Sequence, residues 1–279
     1  MLRLLTIELQ KLRYNRSAKT ISILYFSLIC FIAFIVSIEF DFGGVKFRVA
    51  DQGIFNFPFI WHFNTWVAAW LKIFFAVVIV SIVSNEYSYR TLKQNLIDGL
   101  SKKEFITSKF LAVLLFSVIS TVFLFAVTMI LGLFFSDYTE LGIIFSDLEY
   151  MFAYFLKLVC FFSFCMFLGI WVKKSAFALG FLGLWQVIEG LIAILFQYIK
   201  VKTDVNLFDS VYNFLPLNAM SDLIVEPFSR LGAIQSIANQ VGEEIQKSYD
   251  VPITAIVITT AWTAIFIYGS YAILRKRDL

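Results

Sequence analysis

SNEYSYRTLKQNLIDGLSKKEF, residues 84–105, is a charged islet between two long apolar runs. From Glu86 to Ile97 its residues suit a short helix, with Tyr89, Leu92 and Leu96 at i, i+3 and i+7 on one apolar stripe. Asp98-Gly99 then breaks the pattern. Ser101-Lys102-Lys103-Glu104 reads as a capping box, in which serine accepts from the N3 amide and glutamate reaches back. Leu100 and Phe105 stand at N′ and N4, where a hydrophobic staple packs. The islet is therefore expected to be a helix, a tight turn and the capped start of a long helix. Two readings stay open for it: a positive loop that only fixes topology, or a stiff element that docks on a partner.

The surroundings set the class. Of 279 residues, 60% are hydrophobic, only 15% are charged and 33 are Phe, and the mean hydropathy is +0.82. Soluble domains carry about 25% charged residues, so the chain reads as an integral membrane protein of the all-α, polytopic class. A span takes about 20 apolar residues. Six windows qualify: 20–38, 66–84, 110–135, 151–172, 175–199 and 253–274. They form one transmembrane domain, with residues 85–109 as a loop and 200–252 as the largest outer segment, in which 211–216 and 230–245 are expected to form short amphipathic helices. All four prolines fall outside the windows, and lipid offers no partner for open backbone groups, so the spans are helices.

Lysine and arginine orient them. Arg3, Lys11, Arg13, Arg16 and Lys19 precede the first span. Arg90, Lys93, Lys102, Lys103 and Lys109 follow the second, Lys173-Lys174 join the fourth and fifth, and Arg275, Lys276 and Arg277 end the chain. The opposite segments hold Lys46, Arg48, Lys200, Lys202, Arg230 and Lys247, spread over far more residues. Both termini are expected in the cytoplasm, with Trp61, Trp66 and Trp70 near the outer interface. Residues 1–19 are expected to form an amphipathic interfacial helix bearing Leu2, Leu5, Leu9 and Leu12 at helical spacing, rather than a cleavable signal.

These elements in this order resemble the type-2 permeases of ATP-binding-cassette (ABC) transporters. The lead Ile7-Glu8-Leu9-Gln10-Lys11-Leu12-Arg13 is similar to that family's acidic-then-basic lead helix. After span two the family shows Glu, then Gly-Thr-Leu, a polar-Leu run, Pro-x-Ser-Arg and Gly-Lys. This chain has Glu86, then Arg90-Thr91-Leu92-Lys93-Gln94-Asn95-Leu96, then Gly99-Leu100-Ser101-Lys102, then Ser108-Lys109. Arg90 and Ser108 stand where the family has Gly, Gly99 where it has Pro, and Lys102 where it has Arg. The resemblance implies that Glu86, Tyr89, Arg90, Thr91, Leu92, Lys93, Gln94, Asn95 and Leu96 form a coupling helix docking on a cytoplasmic ATPase. It also implies a second permease copy or homologue, transport out of the cell, and a bacterial cytoplasmic membrane as the location. The phosphate loop G-x-x-x-x-G-K-[ST] has no match, because the Lys-Ser/Thr pairs at Lys19, Lys174, Lys202 and Lys247 lack a preceding Gly. ATP and Mg are accordingly expected on the partner ATPase and no cofactor on this chain, which is not expected to be an enzyme itself. The rival class is an ATP-independent channel or a structural scaffold.

Charges inside spans are costly and mark candidate sites. There are three: Lys72, Lys157 and Glu189. Spans four and five are joined by two lysines, so Lys157 and Glu189 are expected to meet and pair, either as a structural ion pair or, with Lys72, as a polar lining of an outer substrate path. Ala176, Gly180, Gly183 and Gly190 form a small-residue stripe on span five, expected to pack against another span of the chain. Cys30, Cys160 and Cys165 lie in apolar runs and no disulfide is expected, and the single His62 excludes a histidine metal cluster within one chain.

Overall fold

The structure, a computed structural model, describes residues 2–42, 45–48, 53–203, 211–231, 234–235 and 247–277. A lead helix α1 (Leu2–Tyr14) precedes α2 (Arg16–Ser37), whose start is capped by the Asn15 side chain accepting from the Ala18 amide at 3.1 Å. A two-stranded antiparallel hairpin follows, β1 (Glu39–Phe42) and β2 (Val45–Arg48), with Glu39 opposite Arg48. The hairpin interrupts an otherwise helical chain and leaves its all-α class intact: Phe40, Phe42, Val45 and Phe47 are aromatic and β-branched residues of the kind that favour strands.

Beyond the hairpin come α3 (Phe59–Trp70), α4 (Lys72–Ser88), α5 (Thr91–Ile97), α6 (Lys102–Phe135), α7 (Leu141–Ile144), α8 (Glu149–Val172) and α9 (Ser175–Thr203). Then come α10 (Pro216–Asp222) and α11 (Ile253–Arg275). Among the described residues, five helices are long and apolar enough to cross a membrane: α2, α6, α8 with the residues before it, α9 and α11. The pair α3 and α4, bent by 45° at Leu71, makes a sixth when counted as one span. The chain is a polytopic helical membrane protein. The second span differs from its expected window, since its helix starts at Phe59 and breaks at Leu71, where neither Pro nor Gly marks the sequence.

Helix α8 is the centre of the bundle and packs against α3, α4, α6, α9 and α11. Tyr154, Leu158, Phe162, Cys165 and Met166 are fully buried on it. One end of the bundle gathers α1, α5, the start of α6 and the C-terminal residues. Arg277 donates from Nη1 to the Ile170 carbonyl at 2.6 Å and from Nη2 to that of Trp171 at 2.9 Å, and Lys102 donates to the Arg277 carbonyl at 2.8 Å. This terminal end is opposite the far end, where α7, α10 and the following turn lie.

At the far end His62 fixes the strand of chain after α10. Its ring stacks on Tyr150 at 4.2 Å, Nε2 donates to the Val225 carbonyl at 2.8 Å, and Nδ1 accepts from Arg230 at 3.2 Å. The carbonyl takes the only ring proton and the guanidinium fills the other nitrogen, so a neutral imidazole satisfies both partners. Of the outer helices expected from sequence, 211–216 is a 3-10 turn (Tyr212–Phe214) leading into α10. Most of the expected helix over 230–245 lies outside the described residues.

Candidate functional site

The islet folds as its residues dictate. Ser101 Oγ accepts from the Glu104 amide at 3.1 Å, and Glu104 Oε2 accepts from the Ser101 amide at 2.9 Å, completing the capping box at the start of α6. Helix α5 ends in a paired 6→1 and 5→2 closure: Leu100 N–H donates to the Asn95 carbonyl and Gly99 N–H to that of Leu96. Gly99 has φ +97°, which costs a glycine nothing. At the other end of α5, Arg90 has φ +58° without being glycine, and it stands where the resembled family carries Gly.

Below α5 lies a buried charge cluster that spacing did not reveal. The Lys109 ammonium touches Glu8 at 2.9 and 3.0 Å and Glu86 at 2.6 Å. Lys11 reaches the same Glu86 oxygen at 2.7 Å. The second Glu86 oxygen accepts from Thr91 at 2.5 Å and from Asn95 at 3.4 Å, and Ser108 donates to Glu8 at 3.2 Å. Two carboxylates and two ammoniums balance, and nearly every lone pair has a donor, which is what a buried ion cluster requires to be tolerated. The cluster ties α1, α4, α5 and α6 into one rigid corner.

This corner divides the expected docking residues. Glu86, Thr91 and Asn95 point into it, Leu92 is buried (2% exposed) and Leu96 packs on the core. Two residues of the expected stripe, Leu92 and Leu96, thus face the chain's own body, which removes their apolar area from water. Tyr89 (74% exposed), Arg90, Lys93, Gln94 and Ile97 (77%) form the outward face. Helix α1 likewise buries Glu8 rather than Leu9, which remains exposed.

At the far end Glu189 stands apart from the two intramembrane lysines. Glu189 does not pair with Lys157. Its carboxylate accepts from Trp185 Nε1 at 2.6 Å and from the backbone N–H groups of Leu217 at 3.2 Å and Asn218 at 3.0 Å. Those amides open α10, whose own N-cap, Leu215, has no side-chain acceptor. Glu189 therefore caps α10 from a neighbouring helix. Lys157 instead lines a cavity of about 590 Å³ together with Lys72, Gln186, Asp222 and Glu226. The break at Leu71 sets Lys72 at the first turn of α4, 4.6 Å above the Phe161 ring. Burial pushes the Asp222 carboxyl up to about 6, against the opposite pull of Lys157 and of the Asn218 side chain. The α9 stripe also departs from expectation: a Cβ at Gly180, Gly183 or Gly190 would meet nothing within 4 Å, so no span among the described residues packs there.

Among known families, the one described as "Protein of unknown function (DUF2705)" matches residues 55–279. The chain belongs to that family. The match covers α3 to α11 and starts after α1, α2 and the hairpin. No curated protein matches the chain. Within the family region lie both lysines of the cavity, Glu86 and Lys109, whereas their partners Glu8 and Lys11 precede it.

Proposed function

We propose that this chain is the membrane-spanning subunit of a type-2 ABC transporter, an exporter driven by separate cytoplasmic ATPase subunits and working with a second permease copy or homologue. The observation that carries the reading is the charge cluster. The three pieces of sequence that resemble the family, the lead with Glu8, the glutamate after span two and the lysine at position 109, are far apart in the chain and converge on one buried point. A short exposed helix rigidly joined to a lead helix and two spans can pass a push from a docked partner into the bundle. The left-handed backbone of Arg90 adds support, since it is the conformation the resembled family's glycine favours. The open glycine face of α9 supports a second permease copy, because small residues let helices approach closely.

The test is co-purification with an ABC ATPase encoded beside this chain. Lys93→Glu combined with Ile97→Asp alters only the outward face of α5. Loss of the ATPase with the permease still monodisperse supports the reading. Retained ATPase places docking elsewhere, and absence of any ATPase from the native complex favours the channel or scaffold.

A further inference from the structure

We propose that the far-end cavity binds a singly charged oxyanion, and that the head group of an anionic amphiphile from the adjacent leaflet is its occupant. Lys157 on α8 is 5% exposed, yet the cavity it lines offers it no hydrogen bond or salt bridge among the described residues. Lys72 on α4, partly exposed, lies over the Phe161 ring, with no anion on it among the described residues. An ammonium held away from water without an anion is costly, so Lys157, with a second cation beside it in the cavity, makes a built demand for negative charge.

The count of charges sets the occupant's charge. Glu226 is already engaged by Lys247 at 3.0 Å and by Ser229. Asp222 accepts from Asn218 at 2.8 Å and, among the described residues, from no cation within salt-bridge distance. With two lysines against one free carboxylate, the cavity lacks one negative charge. Gln186 adds a neutral donor.

The walls set the rest. Trp66, Trp70, Ile73 and Phe161 supply an apolar side, and Trp70 (67% exposed) and Ile73 face outward from the bundle, where a chain would lie against lipid. About 590 Å³ accommodates a head group and the start of a tail, within the ordinary range of small-molecule sites. The inference concerns binding and does not rest on an ATPase partner.

The experiment measures lipid retained by the purified full chain from mixed phosphatidylcholine and phosphatidylglycerol nanodiscs, by native mass spectrometry, with inorganic phosphate as competitor. The native chain should retain phosphatidylglycerol over phosphatidylcholine. Lys157→Met and Lys72→Met should each cut that preference about tenfold, and Lys157→Arg should keep it. Phosphate that fails to displace the lipid at millimolar concentration assigns the site to the amphiphile; displacement assigns the same oxyanion site to a soluble anion and overturns the lipid as occupant. Should the lysine variants fail to fold, Asp222→Asn decides, since removing the competing carboxylate should raise retention severalfold. Equal retention of both lipids by the native chain, or no change in any folded variant, would overturn the proposal.

Discussion

Lys109 sits between Glu8 and Glu86, and Lys11 is the other cation on Glu86 among the described residues. Removing it leaves two buried carboxylates facing each other, so Lys109→Met is expected to lower stability by about 3–5 kcal/mol, the cost of breaking a buried pair. Glu86→Gln with Lys109→Met removes one charge of each sign and should recover part of the loss. Thermal unfolding of the detergent-solubilised chain measures both, and a double variant worse than Lys109→Met alone would show that the cluster is not held by charge balance. Each of these residues is conspicuous in the sequence, but separations of 23 and 101 positions carry no periodic signal, so their meeting was not legible.

Local pattern decided the elements well where one residue type has one cause. The capping box and the Asp98-Gly99 break were readable because capping and positive φ depend on neighbours in sequence. The break at Leu71 was not, since it comes without Pro or Gly and follows from packing. Nor was the cap of α10, whose acceptor lies on another helix. Glu189→Ala strands the Leu217 and Asn218 amides and should cost about 1–2 kcal/mol, while Glu189→Gln, which keeps an accepting oxygen, should cost less; equal losses would argue against the cap. Asp222 on the same helix gives a pH signature. Lys157 on α8, the Asn218 amide on its own helix, Tyr212 in the preceding turn, and Lys72 and Glu226 across the cavity are the groups around it. Its folded carboxyl lies at about 6 against an ordinary 3.8, so the folded chain holds the proton more tightly than the unfolded one. Its contribution to stability therefore falls as pH rises from about 4 to about 6 and is level above. The difference in melting temperature between the native chain and Asp222→Asn should shift in the native chain's favour from pH 7 to pH 5, and a difference independent of pH would contradict the assignment.

At the scale of the whole molecule, length and hydropathy made the spans legible because the bilayer fixes both. The hairpin and the open glycine face of α9 were not legible, because strand pairing and helix neighbours are decided by the assembled bundle. On the proposed reading the terminal end, where the sequence is richest in Lys and Arg, lies in the cytoplasm. A cysteine at position 93, on the outward face of α5, is expected to stay unlabelled by a membrane-impermeant thiol reagent in intact cells and to react after permeabilisation; labelling from outside would invert the topology. The central claim, that this corner engages an ATPase, is tested most directly by placing a photo-crosslinking amino acid at position 93 and identifying the product in cells by mass spectrometry. The account predicts a crosslink to a protein carrying the G-x-x-x-x-G-K-[ST] loop, and a crosslink only to proteins without it would contradict the account.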